Sequence, residues 1–489
     1  MTQAANQGDR TGAAEVAGSA DELLALRSEN AALREMIARQ SEAIGVLEAR
    51  IVDLERRLDL DSSNSSKPPS SDGLKKPPRV KSLRGRSGKR TGGQKGHPGD
   101  TLRQVATPDA VVDHYPGVCS GCGAALMPAM ATSHIARQVF DLPEPQPLVV
   151  TEHRAHVCCC ASCGAATTSR FPEGVTAPVQ YGPRLGALAV YLLHGHFLPE
   201  DRLAELMDDL FGVRLVPATI ARMSHKCARR LQGFMAAVRA RVNEAKVKHL
   251  DETGFRVGGR TKWLHIASTG LLTFYRISAS RGSMPEHVSG TIVHDHWKPY
   301  YTMTGVLHAL CNAHHLRELK ALIDIEKEDW ARKMQVLLRR ACHATNLARE
   351  CGVALTARLI ARIQRRYDAI MAEGIAFHEA QPALRCGQRR GRKPRRVGHN
   401  LLLRLHQHKD DVLRFLSDPA VPFTNTQAER DARMMKLRQK ISGGFRSRSG
   451  ADDFAIIRAA ISTAKKHGWG VLQTLMRDPQ ELIYSLRPG

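Results

Sequence analysis

KVKHLDETGFRVGGRTKWLHIASTGLLTFYRISASRGSMPEHVSGTIVHD, residues 246–295, is the stretch on which the fold turns. Residues 246–257, 261–267 and 271–277 are rich in β-branched and aromatic side chains and are separated at Gly258-Gly259 and Thr269-Gly270, which predicts an antiparallel meander. A connection through Pro285-Glu286-His287 leads to residues 291–295, a fourth strand. Asp251 lies within the first strand and Asp295 ends the fourth. With the fourth strand returning parallel beside the first, a spacing of about 4.8 Å puts both carboxylates within reach of shared cations. This is a ribonuclease-H-like layout, and it needs a third carboxylate from a later helix.

Residues 421–447, VPFTNTQAERDARMMKLRQKISGGFRS, supply a candidate. Pro422 and Asn425 break the chain before a predicted helix and Gly443-Gly444 break it afterwards. Glu429, Arg433, Lys436 and Lys440 fall at i, i+4, i+7 and i+11, so one carboxylate heads a basic stripe on a single face. Thr426-Gln427-Ala428-Glu429 also fits a capping box, in which Glu429 reaches back to the N-cap amide and Arg433 is its i+4 partner. The incomplete pair Asp251 and Asp295 favours the metal-facing alternative, with Asn425 or Thr426 left to cap the helix. Arg430, Arg433, Lys436 and Lys440 then become candidate phosphate contacts.

At 489 residues the chain is long enough for two or more domains, and its formal net charge of +24 points to a polyanionic partner, foremost DNA. It contains no apolar run long enough to span a bilayer, and residues 1–20 lack an apolar signal core, so a cytoplasmic protein with no membrane partner is expected.

Residues 1–20 read as disordered. Across residues 21–60, Leu23, Asn30, Ile37, Ile44, Ile51 and Leu58 recur at one seam position and Leu26, Leu33, Gln40, Leu47 and Leu54 at the other. β-Branched residues at the first position with Leu at the second favour a parallel two-stranded coiled coil, hence a homodimer or higher oligomer. Glu22 with Arg27, Glu29 with Arg34 and Arg50 with Glu55 are complementary across that seam. Residues 61–100 turn to Ser, Pro, Gly and like charge, which reads as a linker or arm. Lys75, Lys76, Arg84, Arg86, Lys89 and Arg90 there are suited to neutralise phosphates without reading bases.

Within residues 101–175, Cys119-x-x-Cys122 and Cys160-x-x-Cys163 form two knuckles of the kind used by structural zinc sites, each followed by Gly. Four thiolates leave no open position, so the Zn2+ is expected to be structural. Strands are expected near residues 136–140 and 148–155, and Cys158 and Cys159 leave the ligand set open. Residues 176–245 read as helical, and residues 202–210, 211–213 and 217–226 fit either a DNA-reading helix-turn-helix whose second helix carries Thr219, Arg222 and Ser224 or plain helical packing. Cys311-x-x-His314 with His315 has the spacing of a further metal site, but without other ligands it reads rather as a buried thiol beside a helix-start histidine. QRRGRKPRR, residues 388–396, is a basic loop, and residues 451–489 are helical with Ile456, Ile457, Ala460 and Ile461 on one face.

HLDETGF at residues 249–255, the run around Asp295, CNAHHLREL at residues 311–319 and PFTNTQAERDARMMKLRQKISGGFRS resemble the transposases of the insertion sequence 66 family. NSSKPPSSD at residues 64–72 and GGQKGHPG at residues 92–99 look like the amino-terminal hallmarks of that family. The resemblance runs in order from about residue 21. It implies a DDE-type recombinase with Asp251, Asp295 and Glu429 as its acids, a catalytic domain over residues 246–450, a helical insertion over residues 316–418, and accessory transposition proteins as partners. The usual Asn-Asn pair reads Asn425-Thr426 here.

The expected class is therefore a multidomain α+β protein. Two Mg2+ ions, or Mn2+, suit three carboxylates and can stabilise the attacking and leaving oxygens of an in-line phosphoryl displacement. Such a site cleaves DNA at the element ends and transfers the freed 3′-hydroxyl into target DNA. A non-catalytic zinc-dependent DNA-binding regulator would keep the coiled coil, arm and knuckles but need none of the acids, and a stand-alone nuclease on the same fold would cleave without joining. Glu252 and Asp324, the other acids considered for the triad, read as solvated or capping charges.

Overall fold

The computed structural model describes residues 9–61, 64–65, 103–141, 148–382, 384 and 395–487. They fall into two compact units: Met1–Arg79, Tyr181–Glu200 and Pro217–Gly489 in one, Val80–Gln180 and Asp201–Val216 in the other. The basic arm with Lys75, Lys76, Arg84, Arg86, Lys89 and Arg90, and most of the 388–396 loop, lie outside the described residues.

The first unit begins with α1 (Asp9–Asp59), one continuous helix of 51 residues. Leu23, Leu26, Leu33, Ile37, Ile44, Leu47, Ile51 and Leu54 on its seam are all exposed. Near its end, Arg56 Nε donates to Glu326 Oε1 at 2.8 Å.

The second unit repeats one local motif. Gly123 N donates to Cys119 O at 3.0 Å and Gly164 N donates to Cys160 O at 2.8 Å. Gly123 and Gly164 have φ of 71° and 73°, a left-handed conformation that closes each turn at little cost only with Gly. The strands lie elsewhere than expected: β1 (Val157–Cys159) and β2 (Ala166–Thr168) pair across the second knuckle. Residues 136–140 and 148–155 form no strand, and Gln138 instead exchanges side-chain hydrogen bonds with the Val105 backbone at 2.7 and 2.8 Å. None of the described residues between 103 and 180 is buried, so burial of apolar surface cannot be what holds this segment together.

Helices α2 (Pro183–Gly195), α3 (Glu200–Phe211) and α4 (Pro217–Glu244) follow. Pro217 opens α4, as its fixed φ favours. α4 continues for 28 residues and buries Ile220, Leu231, Phe234 and Val238. Ser224 is buried and bonded to His194 Nε2 at 2.6 Å, because it falls on the apolar face that α4 turns to the core. Arg222 remains exposed.

The sheet comprises β3 (Val247–Val257), β4 (Arg260–Ser268), β5 (Thr273–Ser278), β6 (Gly290–His294) and β7 (Val306–Leu310), in the order β5-β4-β3-β6-β7. β5, β4 and β3 are antiparallel, while β3, β6 and β7 run parallel. Gly258 and Gly259, at φ of 54° and 75°, make the two-residue turn that the meander required. The meander and the parallel return of β6 agree with the sequence reading, which did not anticipate β7.

After the sheet come α5 (Asn312–Ala321), α6 (Asp329–Glu350), α7 (Ala357–Glu379), α8 (Val397–Gln407), α9 (Lys409–Ser417), α10 (Thr426–Ser442), α11 (Arg448–His467), α12 (Val471–Met476) and α13 (Pro479–Ser485). Two apolar cores sandwich the sheet, and alternate residues of β6 enter opposite ones: Ile292 joins Leu264, Phe234 and Ile457, while Val293 joins Leu338, Tyr367 and Leu402. Phe454, Ile457 and Ile461 fix α11 in the first core, each contributing about 1.5–3 kcal/mol of burial. No helix of the described residues is long and apolar enough to cross a membrane.

Candidate functional site

His249 on β3 pairs with Val293 on β6. Asp251 lies two residues further along β3, Asp295 directly follows β6, and the Asp251 carboxyl is close enough to feel the Asp295 charge. Asp251 Oδ1 accepts the Glu252 N–H at 2.9 Å, and Asp295 Oδ1 accepts the Trp297 N–H at 3.1 Å. Burial, followed by the negative charges of Glu252, Asp295 and Glu429, holds the Asp251 carboxyl well above the usual range, while the Glu252 N–H opposes the shift. The neighbouring imidazoles bring no compensating charge. Burial lowers His294 and His296 to about 3, so both rings are neutral at physiological pH.

Glu429 sits in the first turn of α10 but makes no capping box, since neither Asn425 nor any other side chain caps that terminus. Its Oε1 lies 3.9 Å from Cys311 Sγ and 4.0 Å from both His314 Nδ1 and an Arg317 nitrogen. Tertiary neighbours across the loop before α5 have displaced the local cap. Cys311 is buried as expected, and burial with the Glu429 charge pushes its thiol up to about 12.

Two buried polar groups, Asn425 and Asp431, set the position of α10. Asn425 Nδ2 donates to Leu250 O at 2.7 Å, its Oδ1 lies 2.9 Å from His249 Nδ1, and its N–H donates to Cys311 Sγ at 3.1 Å. Asp431 accepts from Lys466 Nζ at 3.0 Å, Thr273 Oγ1 at 3.2 Å and Ser462 Oγ at 3.1 Å. Lys466 in turn donates to the carbonyls of Thr269 and Leu272 at 3.0 and 2.9 Å. A sequence signal did exist for Asp431: it shares the buried face of α10 with Ala428, Ala432 and Met435, and a carboxylate there demands partners.

Glu252 proves to be buried rather than solvated. It accepts from Arg281 Nε at 2.9 Å and Tyr300 Oη at 2.5 Å, and Arg281 lies 4.3 Å from the Trp297 ring centroid and 5.2 Å from that of Trp263. Those bonds commit it to clamping the segment after Asp295. Asp324 is half-exposed and pairs with Lys320 one turn away.

Arg430, Arg433, Lys436 and Lys440 are all exposed on α10, with Lys436 Nζ also donating to Gly254 O at 2.7 Å. In the second unit, hydrogen bonds from the backbone of Cys122 and Gly121 and from the Cys122 side chain lower the Cys119 thiol. The Ser162 and Cys163 backbone does the same for Cys160. Among the described residues, however, no three cysteine sulfurs lie within 4.8 Å of one another.

The central strand β3 carries Asp251, its parallel neighbour β6 leads into Asp295, and the later helix α10 carries Glu429, in a strongly basic chain. The chain belongs to the Transposase IS66 family, which matches residues 178–453. A second family, described only as one of unknown function, matches residues 19–103. No curated protein matches the chain.

Proposed function

We propose that this protein is a DDE-type DNA transposase that binds element ends, cleaves a strand there and joins the freed 3′-hydroxyl to target DNA, with Asp251, Asp295 and Glu429 as its catalytic acids. The strand order β5-β4-β3-β6-β7, with β3, β6 and β7 parallel, supports a ribonuclease-H-like core. The observation that carries the proposal is the raised Asp251 carboxyl, which feels the charges of both Asp295 and Glu429. A carboxyl raised by burial and by its acidic neighbours fits a place where a divalent cation is held.

The donor set is all carboxylate oxygen, which suits Mg2+ or Mn2+. Held by these acids, the ions would supply Lewis acidity toward phosphate oxygens and lower the pKa of water or hydroxyl. The exposed Arg430, Arg433 and Lys440 then hold the DNA backbone beside the cut, and Arg281 with Trp297 keeps the segment after Asp295 in place. Water attacks the end phosphodiester first; the released 3′-oxygen then attacks a target phosphodiester, displacing its own 3′-oxygen. No protein side chain is a nucleophile in either step.

Cys119, Cys122, Cys160 and Cys163 are proposed to hold a structural Zn2+, a role their paired, hydrogen-bonded thiols and matching turns support. The exposed seam of α1 supports pairing with a second copy. The deciding experiment is strand transfer in vitro on the element's own end DNA with Mg2+. Joined product supports the transposase; cleavage that never proceeds to joining favours the nuclease.

A further inference from the structure

Glu429 belongs to a second cluster whose chemistry differs from that of the aspartates. We propose that Cys311 Sγ, His314 Nδ1 and the Glu429 carboxylate together bind a zinc-class divalent ion. Their ligand atoms all lie within 4.8 Å of one another, a grouping that no other His, Cys, Asp or Glu residues make among those described. Glu429 Oε1 is 3.9 Å from the sulfur and 4.0 Å from the ring nitrogen, and 4.0 Å is too far for a nitrogen–oxygen hydrogen bond. Cys311 Sγ donates one long hydrogen bond to that carboxylate oxygen, while the His314 ring nitrogen faces the same oxygen without bonding to it. Around tetrahedral zinc, bonds of about 2.0–2.3 Å place neighbouring ligands about 3.3–3.6 Å apart. The two Glu429 distances need to close by less than about 1 Å to reach that geometry.

Two further features point to a ligand at this place. His314 Nδ1 is buried with no hydrogen-bond partner, a state that buried polar atoms rarely hold unless something else satisfies them. Cys311 Sγ already accepts the Asn425 N–H at 3.1 Å, the kind of outer contact that stabilises a metal-bound thiolate. Sulfur and imidazole select zinc over magnesium, whereas Asp251 and Asp295 offer only hard oxygen. Arg317, 4.0 Å from the same Glu429 oxygen, is the rival cation, and the second carboxylate oxygen can serve it. Because Glu429 is shared, an ion here competes with the aspartates for that carboxylate. This consequence rests on the proposed catalytic role, but the binding itself does not.

The test counts zinc per chain in the full-length protein after dialysis against Zn2+ and gel filtration, without DNA or turnover. Cys311→Ser and His314→Ala are each expected to hold one zinc fewer than the wild type, whatever the cysteine knuckles retain. Cys311 is buried, so should its variant fail to fold, His314→Ala, at a side chain 17% exposed, decides alone. An unchanged count in folded His314→Ala overturns the proposal.

Discussion

Asn425 Nδ2 donates to the Leu250 carbonyl at 2.7 Å, tying the residue before α10 to the residue before Asp251. The same side chain meets His249 and its backbone meets Cys311, so one residue joins β3, α10 and the start of α5. Replacing Asn425 with Ala leaves buried groups unpaired, which costs about 1–3 kcal/mol. The expected outcome is a raised Mg2+ requirement for cleavage with end-DNA binding unchanged. An unaltered Mg2+ titration would show that Asn425 serves stability alone.

Asp251→Asn, Asp295→Asn and Glu429→Gln are each expected to lower cleavage and joining by on the order of 10²–10³-fold or more, since each removes a carboxylate proposed to hold the divalent ions at the reacting phosphate. Binding of end DNA in a gel-shift assay should survive. Any one variant that still joins strands takes its residue out of the triad.

Without a buried residue among those described, the segment between 103 and 180 depends on whatever closes the two knuckles. Zinc chelation or Cys160→Ser should make this segment sensitive to protease while leaving the sheet and its helices resistant. Equal resistance with and without chelator would show that the segment holds together without metal.

Glu328, buried between Trp330 and His378, has its carboxyl raised by burial from 4.5 to about 7. The fold favours the protonated form, so this stabilisation is complete below about pH 4.5 and disappears as pH rises through about 7. At about 1.4 kcal/mol per pH unit the effect approaches about 3 kcal/mol. Glu328→Gln should flatten the thermal midpoint between pH 5 and 8, and a slope identical to the wild type would contradict this assignment.

If the α1 seam pairs two copies, Ile44→Asp together with Leu47→Asp should halve the mass measured by light scattering. A mass equal to that of the wild type would place the oligomer contact elsewhere.

The sheet was largely legible because Gly258-Gly259 and Thr269-Gly270 mark its turns and Asp295 ends a short apolar run. β7 escaped notice because VLHAL is too brief to carry a period of its own. Around α10 the sequence supplied the helix and its limits but not its environment. Thr426 through Glu429 spell a cap locally, yet the neighbours that hold Glu429 come from residues 311–317, more than a hundred positions earlier. The knuckles were legible as turns, since Gly follows each pair, whereas the strands between them were misplaced because side-chain bonds from Gln138 took the part of a ladder.

The salt bridge between Asp431 and Lys466 bears on where this protein can be cut. The family match ends at residue 453, thirteen positions short of Lys466. A fragment ended at the match would keep Asp431 on the helix that carries Glu429 while losing the lysine that neutralises it and the Ser462 hydroxyl that donates to it. Recurrent sequence and cooperative folding thus have different borders in this chain, and the useful border for expression lies beyond α11.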